Sequence, residues 1–240
     1  MKHKITAGLL TLAGLCMTAH ASAASLQMYP VTVNFCRGES VAAVYVKNTG
    51  EQSIGAQIRV YRWQQQEHKD VMTPASDLIV SPPIATIPAG KEQLVRVISP
   101  APAAPGGPEK SYRLLLDELP QSGQAHSSGQ VHFLLRYSVP VFLSCPDSKP
   151  DLSTIHASLD STGSRRRLVI RNSGMNHLKL SSVSMVSGGK SYLISQGLFG
   201  YVLPGSEMTW ELPAGVPAGT SLTATLSDNA SSQTIPLPRQ

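Results

Sequence analysis

Apolar and polar residues alternate in short segments along nearly all of this 240-residue chain, with Gly, Pro, Asn or Ser at the breaks. Successive side chains of a strand face opposite ways, so a half-buried strand reads with a period of two. Residues 25–35, 41–47, 53–64, 93–99, 111–119 and 131–143 carry that pattern in the first half. Residues 70–84 contain Pro74, Pro82 and Pro83 and read as loop and short strands. Pro30 lies inside the first segment and cannot donate to a ladder, which predicts an edge strand or one that changes sheets. Residues 152–159, 167–172, 177–186, 191–194, 199–203, 207–212, 221–226 and 233–237 continue the pattern. No stretch shows the spacing of an amphipathic helix. Gly (19) and Pro (18) supply turns, and a charged fraction of 15% excludes a charge-rich disordered tail or a coiled coil. The expectation is an all-β protein of two sandwich domains, each of roughly one hundred residues.

The amino terminus has a different character. Lys2, His3 and Lys4 precede an apolar run over residues 5–17, and Thr18-Ala19-His20-Ala21-Ser22-Ala23-Ala24 follows. A basic start, a short apolar stretch and an Ala-x-Ala site describe a secretory signal peptide, cleaved near Ala23. The run is too short for a membrane anchor. Cys16 is discarded with it, because Leu15 stands where a lipid-modified cysteine needs a small neighbour. The expected divisions are a signal peptide over 1–23, an N-terminal domain over 24–146 and a C-terminal β-sandwich domain over 147–240. The mature chain is expected to be exported, soluble and not membrane-embedded. Losing Lys2 and Lys4 and no acid takes the net charge from +5 to +3. The remaining basic residues are scattered apart from Arg165-Arg166-Arg167, a solvated turn rather than a nucleic-acid patch.

Two cysteines remain, Cys36 and Cys145. An even pair in an exported protein reads as a disulfide. Zinc and redox alternatives lack their motifs: there is no Cys-x-x-Cys, His-x-His or His-Glu-x-x-His, and His68, His126, His132, His156 and His177 stand alone. No Gly-x-Ser-x-Gly and no phosphate-binding Gly-x-x-x-x-Gly-Lys loop is present, so neither an enzyme nor a nucleotide cofactor is expected.

Residues 131–143 form the longest expected strand. Val131, Phe133, Leu135, Tyr137 and Val139 share one face. Such a row either packs into its own core or is presented to another chain, and alternation alone does not choose between them. A polar segment over 120–130, expected to be a mobile loop, precedes it.

Several motifs in order resemble a known family. They are Ser25-Leu26-Gln27-Met28-Tyr29-Pro30, then Ser81-Pro82-Pro83-Ile84-Ala85-Thr86-Ile87-Pro88-Ala89-Gly90, then Gln93-Leu94-Val95-Arg96-Val97, then Tyr112-Arg113-Leu114-Leu115-Leu116-Asp117-Glu118-Leu119-Pro120, and then the long segment. Together they resemble the PapD-like periplasmic pilus-assembly chaperones of the chaperone–usher pathway. The resemblance covers residues 25–145. It implies two immunoglobulin-like β-sandwiches in a boomerang arrangement, and a strand lent to a pilus subunit (pilin) that lacks one. That donor-strand complementation is β-augmentation of an open sheet edge. It implies Val131, Phe133 and Leu135 as groove-filling residues, with Tyr137 extending the row. It also implies delivery of the subunit to an outer-membrane usher.

Typical members hold the subunit's terminal carboxylate with an Arg in the first strand and a Lys in the donor strand. Here Thr32 and Pro140 occupy those positions, a departure that is similar to the archaic branch. Pairing Leu119 with Val131 in a hairpin would place Arg113 opposite Tyr137. Arg113 is therefore the candidate carboxylate anchor, with an ordinary salt bridge as the other reading; Arg96 and Arg136 are weaker candidates. The same resemblance brings Cys36 and Cys145 to neighbouring strand ends. The rival to a chaperone is an Ig-like pilus subunit or surface adhesin.

Overall fold

The computed structural model describes residues 26–36, 38–101, 107–120, 133–144, 151–163, 165–226 and 231–238. The expected signal peptide, Val131, Cys145 and most of the polar segment before the long strand lie outside the described residues.

Among the described residues seventeen strands follow in order: β1 (Leu26–Tyr29), β2 (Val33–Asn34), β3 (Val41–Asn48), β4 (Ile54–Gln66), β5 (Lys69–Pro74), β6 (Ile79–Ser81), β7 (Ile84–Ile87), β8 (Glu92–Ile98), β9 (Lys110–Leu119), β10 (Arg136–Leu143), β11 (Ile155–Asp160), β12 (Arg167–Asn172), β13 (Leu178–Ser187), β14 (Lys190–Val202), β15 (Glu207–Glu211), β16 (Ser221–Thr225) and β17 (Ser232–Pro236). The all-β expectation holds. The one helical element among the described residues is a short 3-10 turn, Leu152–Thr154, capped by the Asp151 carboxylate accepting from Ser153 N–H. It displaces the start of the strand expected at 152 to Ile155.

The first sandwich packs the sheet β1-β3-β8-β6 against the sheet β2-β10-β9-β4-β5, with β7 also on β4. The first strand changes sheets as Pro30 predicts: β1 pairs antiparallel with β3, and β2 pairs parallel with β10. The second sandwich packs β11-β12-β15 against β14-β13-β16-β17. Each has its own core. Leu26, Val44, Val46, Ile58, Val95, Val97, Leu114, Leu116 and Val141 belong to the first. Ile170, Leu180, Val183, Met185, Val202 and Leu222 belong to the second. The alternation is the cause: on β3, Val44 and Val46 point inward while Ala43, Tyr45 and Lys47 point outward.

Two segments expected as separate strands, 191–194 and 199–203, are one strand, β14. Its pairing with β13 changes register between Leu180 and Ser184, and the irregularity carries the chain across Gly197 without ending the ladder.

A third, smaller cluster joins the sandwiches. Trp63 and Phe142 from the first pack with Tyr201 and Leu203 from the second. Gln65 spans the same junction, donating to Tyr201 O (3.0 Å) and accepting from Leu203 N–H (2.8 Å).

Candidate functional site

β10 is the strand on which the functional expectation rests. It begins at Arg136, not at 131, and its eight residues make it shorter than the 13-residue β4 and β14, so the expectation of a longest strand is corrected. The ladder ends in a side chain: Glu118 N–H donates to Leu135 O at 2.9 Å, but Leu135 N–H turns to the Glu118 carboxylate at 3.2 Å.

The apolar row is graded along its length. Val139, Val141 and Leu143 are buried in the core of their own sandwich. Tyr137 and Leu135 are half-buried against that core, and the Tyr137 hydroxyl donates to Leu26 O. Phe133 is 83% exposed and Leu134 54%. The row thus passes from core to solvent toward its amino-terminal end.

The edge of the strand is open over the same stretch. Phe35 N–H donates to Phe142 O at 2.9 Å, so the even-numbered backbone groups of β10 face β2. Leu135 O accepts from Glu118 N–H, so the odd-numbered groups face β9. β2 pairs only with Val141 and Phe142. The N–H and C=O groups of Arg136 and Ser138 face outward with no partner among the described residues. An unpaired edge beside exposed apolar side chains is a template for another strand.

The register with β9 differs from the expected one by three residues. Arg136 pairs with Asp117 and Pro140 with Arg113, so Arg113 is not opposite Tyr137. An odd shift changes the face of every side chain. The observed register buries Tyr112, Leu114 and Leu116 together with Val141, Val139 and Tyr137. It places Arg113 on the outer face, in one row with Pro140 and Tyr61 and beside the junction of the sandwiches.

There the Arg113 guanidinium carbon lies 3.6 Å from the centre of the Trp63 ring and 5.3 Å from that of Tyr201. Burial lowers its pKa, against the pull of Tyr201 and Asp70. Asp70 accepts from Trp63 Nε1 at 2.9 Å and from Gln65 Nε2 at 3.0 Å. No salt bridge to Arg113 occurs among the described residues. The Trp63 ring lies against the guanidinium and Tyr201 stands to one side of it, while N–H groups of a guanidinium are the geometry that recognises a carboxylate. The weaker candidates are placed otherwise. Arg136 pairs with Asp117, which also takes Arg59, and Arg96 is exposed on the outer face of the opposite sheet.

With the edge, the exposed row and the cation placed, comparison with known proteins is informative. Residues 25–148, more than half the chain, match the family model described as pili and flagellar-assembly chaperone, PapD N-terminal domain. The chain belongs to the pilus-assembly chaperone family. No curated protein sequence matches it. Among solved structures, this chaperone is similar to the CsuC–CsuE chaperone–tip adhesion subunit pre-assembly complex from archaic Csu pili of Acinetobacter baumannii. Identity there is 27%, coverage 89% of this chain and 98% of that one, and the TM-score 0.68. It is also similar in fold to the E. coli chaperone DraB, at 18% identity, 90% and 97% coverage and a TM-score of 0.61. The Salmonella enterica SafA pilin in complex with the SafB chaperone gives 16% identity, 89% and 96% coverage and a TM-score of 0.61. These likenesses support a role in pilus assembly and do not favour the pilus-subunit or adhesin alternative.

The chaperone also holds a buried pair that its sequence concealed. Glu109, with a fully buried side chain, accepts from His177 Nδ1 at 2.9 Å and from the Ser144 hydroxyl at 2.6 Å. His177 stacks on Phe142 with ring centres 3.6 Å apart. One partner comes from each sandwich, and no local spacing signals such a contact. Cys36 is disulfide-bonded, while Cys145 lies outside the described residues. No group of metal-ligating side chains and no helix long and apolar enough to cross a membrane occurs among the described residues.

Proposed function

We propose that this chaperone works in the periplasm, after cleavage of its signal peptide near Ala23, by lending the segment from Val131 through Tyr137 to an incomplete pilus subunit and passing that subunit to an outer-membrane usher. The open β10 edge, running into an 83% exposed Phe133, carries the reading. An incoming strand partner would satisfy the outward Arg136 and Ser138 backbone groups. Its apolar groove would cover Val131, Phe133 and Leu135, each burial contributing about 1.5–3 kcal/mol before ordering costs. Tyr137, tied to β1 through its hydroxyl, would form the boundary between guest groove and own core. Arg113 would take the subunit's terminal carboxylate through N–H groups that no described carboxylate uses. A disulfide between Cys36 and Cys145 would fasten the end of the donor segment to the first strand. The working divisions remain 1–23, 24–146 and 147–240.

Co-expression with a candidate pilus subunit that lacks one strand, followed by capture on a tagged chaperone, tests the reading. Wild type should retain the subunit and Arg113→Ala should lose most of it while folding normally. Unchanged subunit yield with Arg113→Ala would remove Arg113 from the site. Failure of wild type to retain any subunit would reject the donor-strand reading itself.

A further inference from the structure

Arg113 takes its surroundings from both sandwiches. It leaves β9 on the outer face, opposite Tyr61 of β4, and Trp63 stands two residues further along β4 on that same face. The Trp63 ring lies against the guanidinium, its centre 3.6 Å from the guanidinium carbon. That ring is itself fixed, being 2% exposed and donating from Nε1 to Asp70 at 2.9 Å. Tyr201 comes from β14 of the second sandwich, and the centre of its ring lies 5.3 Å from the same carbon. It meets the Trp63 ring edge-on, with centres 5.3 Å apart and planes at 80°. Two rings so nearly perpendicular restrict the guanidinium in different directions.

The chain at Tyr201 is held onto β4 by a polar residue outside both cores. Gln65 donates to Tyr201 O at 3.0 Å and accepts from Leu203 N–H at 2.8 Å. The strand that carries Trp63 therefore also fixes the backbone that carries Tyr201. An arginine on a bare strand surface moves among many rotamers, and ordering them costs affinity when a ligand binds. Here the rings limit that freedom before any guest arrives, and each adds a cation–π attraction.

We infer that the Tyr201 ring is a positioning group for the carboxylate anchor, so that the second sandwich, which lends no strand, completes the subunit-binding site by preorganising Arg113. The inference rests on the donor-strand reading with Arg113 as its anchor, and adds what the second sandwich contributes. A tyrosine that merely cemented the junction would behave differently, because its loss would weaken binding whether or not Arg113 is present.

The test uses the full chain co-expressed with a candidate pilus subunit that lacks one strand, with affinity measured on the purified proteins. Tyr201→Leu keeps an apolar side chain in the cluster and should bind the subunit roughly tenfold more weakly than wild type. Tyr201→Phe keeps the ring and should bind as wild type does. Gln65→Ala spares both cores and should weaken binding by about fivefold; it carries the test if Tyr201→Leu fails to fold. In an Arg113→Ala chain neither substitution should have a further effect, because the group they position is gone. Binding equal to wild type by Tyr201→Leu, or by Gln65→Ala in its place, would overturn the inference. So would a Tyr201→Phe chain as weak as Tyr201→Leu, or losses that persist undiminished in the Arg113→Ala chain. If Arg113→Ala binds as well as wild type, Arg113 is not the anchor and the inference falls with that part of the reading. If wild type captures nothing, the donor-strand reading itself falls.

Discussion

The two sandwiches share one corner bond for bond and differ in the strand that closes them. Asn48 ends β3 and Asn172 ends β12, and both are buried. Asn48 Nδ2 donates to Gln52 O (2.6 Å) and Ile87 O (2.9 Å), and its Oδ1 accepts Gly50 N–H (2.9 Å). Asn172 Nδ2 donates to Asn176 O (2.8 Å) and Val202 O (2.9 Å), and its Oδ1 accepts Gly174 N–H (2.9 Å). Their backbone N–H groups donate to Lys91 O and Ser206 O, each at 2.9 Å. Those acceptors each follow a turn whose glycine, Gly90 or Gly205, has φ +67°. The closing strands are unlike. β17 opens with Ser232, Gln233 and Thr234, and its first buried residue is Ile235. The approach to β10 presents exposed Phe133 and Leu134. The corner is what a sandwich of this kind needs to hold together, and the donor-strand reading rests on what only one of them carries.

Asn48→Ala and Asn172→Ala break the shared part and should have the largest effect. Each removes the donors to one buried and one part-buried carbonyl and the acceptor of a glycine N–H, for about 2–4 kcal/mol of stability. The chain has two tryptophans, Trp63 in the first sandwich and Trp210 in the second. Denaturant unfolding followed in single-tryptophan backgrounds should therefore show each loss in its own sandwich. Equal loss at both reporters from either substitution would mean that the sandwiches unfold as one unit.

Glu109 joins the two halves and comes next. Glu109→Ala leaves His177 and Ser144 without their buried partner and should cost about 2–3 kcal/mol. It should widen the spread of inter-sandwich distances seen by small-angle scattering, leaving both cores folded. A scattering profile identical to wild type would show that Trp63, Phe142, Tyr201 and Gln65 hold the junction without it.

Phe133→Ser sharpens the contrast in the opposite sense. The side chain is 83% exposed, so the free chain should change by less than about 0.5 kcal/mol. Subunit affinity should fall by about 2 kcal/mol, close to thirtyfold. Loss of stability without loss of capture would place Phe133 in its own fold instead.

Much of this fold was legible because the alternation is strong wherever one face is wet. It lost phase where apolar residues run together. Leu114, Leu115 and Leu116 are consecutive, as are Val139 through Leu143, and all of them are buried. Neither run says which side faces inward, so the hairpin register came out three residues away and Arg113 on the wrong face. The open edge was legible only as one of two outcomes for an apolar row, since burial depends on strands that lie elsewhere in the chain. The Asn corners were legible only as breaks between alternating segments. Their joining, like that of Glu109 to His177, is a long-range event with no local signature. Pro140 was legible as a missing cation.

The smallest expected effect again compares the two halves, through one aspartate in each. Burial alone would raise the Asp117 pKa, but hydrogen bonds from Arg59 and Arg136 outweigh it and hold the carboxyl below its usual value. Asp160 in the second sandwich is held at about 2, first by the Thr162 hydroxyl and backbone N–H and then by Arg167. A carboxyl depressed by folding contributes stability that is complete above its unfolded pKa, near 3.9, and is lost as pH falls through the folded value. Both aspartates should therefore steepen the loss of stability below about pH 4. Asp117→Asn should cost only a few tenths of a kcal/mol at neutral pH, because its arginine partners are solvent-exposed and screened. It should also flatten the acid limb of the first sandwich alone, read from Trp63 fluorescence, while Asp160→Asn flattens that of the second, read from Trp210. An Asp117→Asn chain with an unaltered acid limb at Trp63 would show that the Arg59–Asp117–Arg136 cluster contributes nothing to holding the β4–β9–β10 face together, and that the open edge depends on its backbone ladder alone.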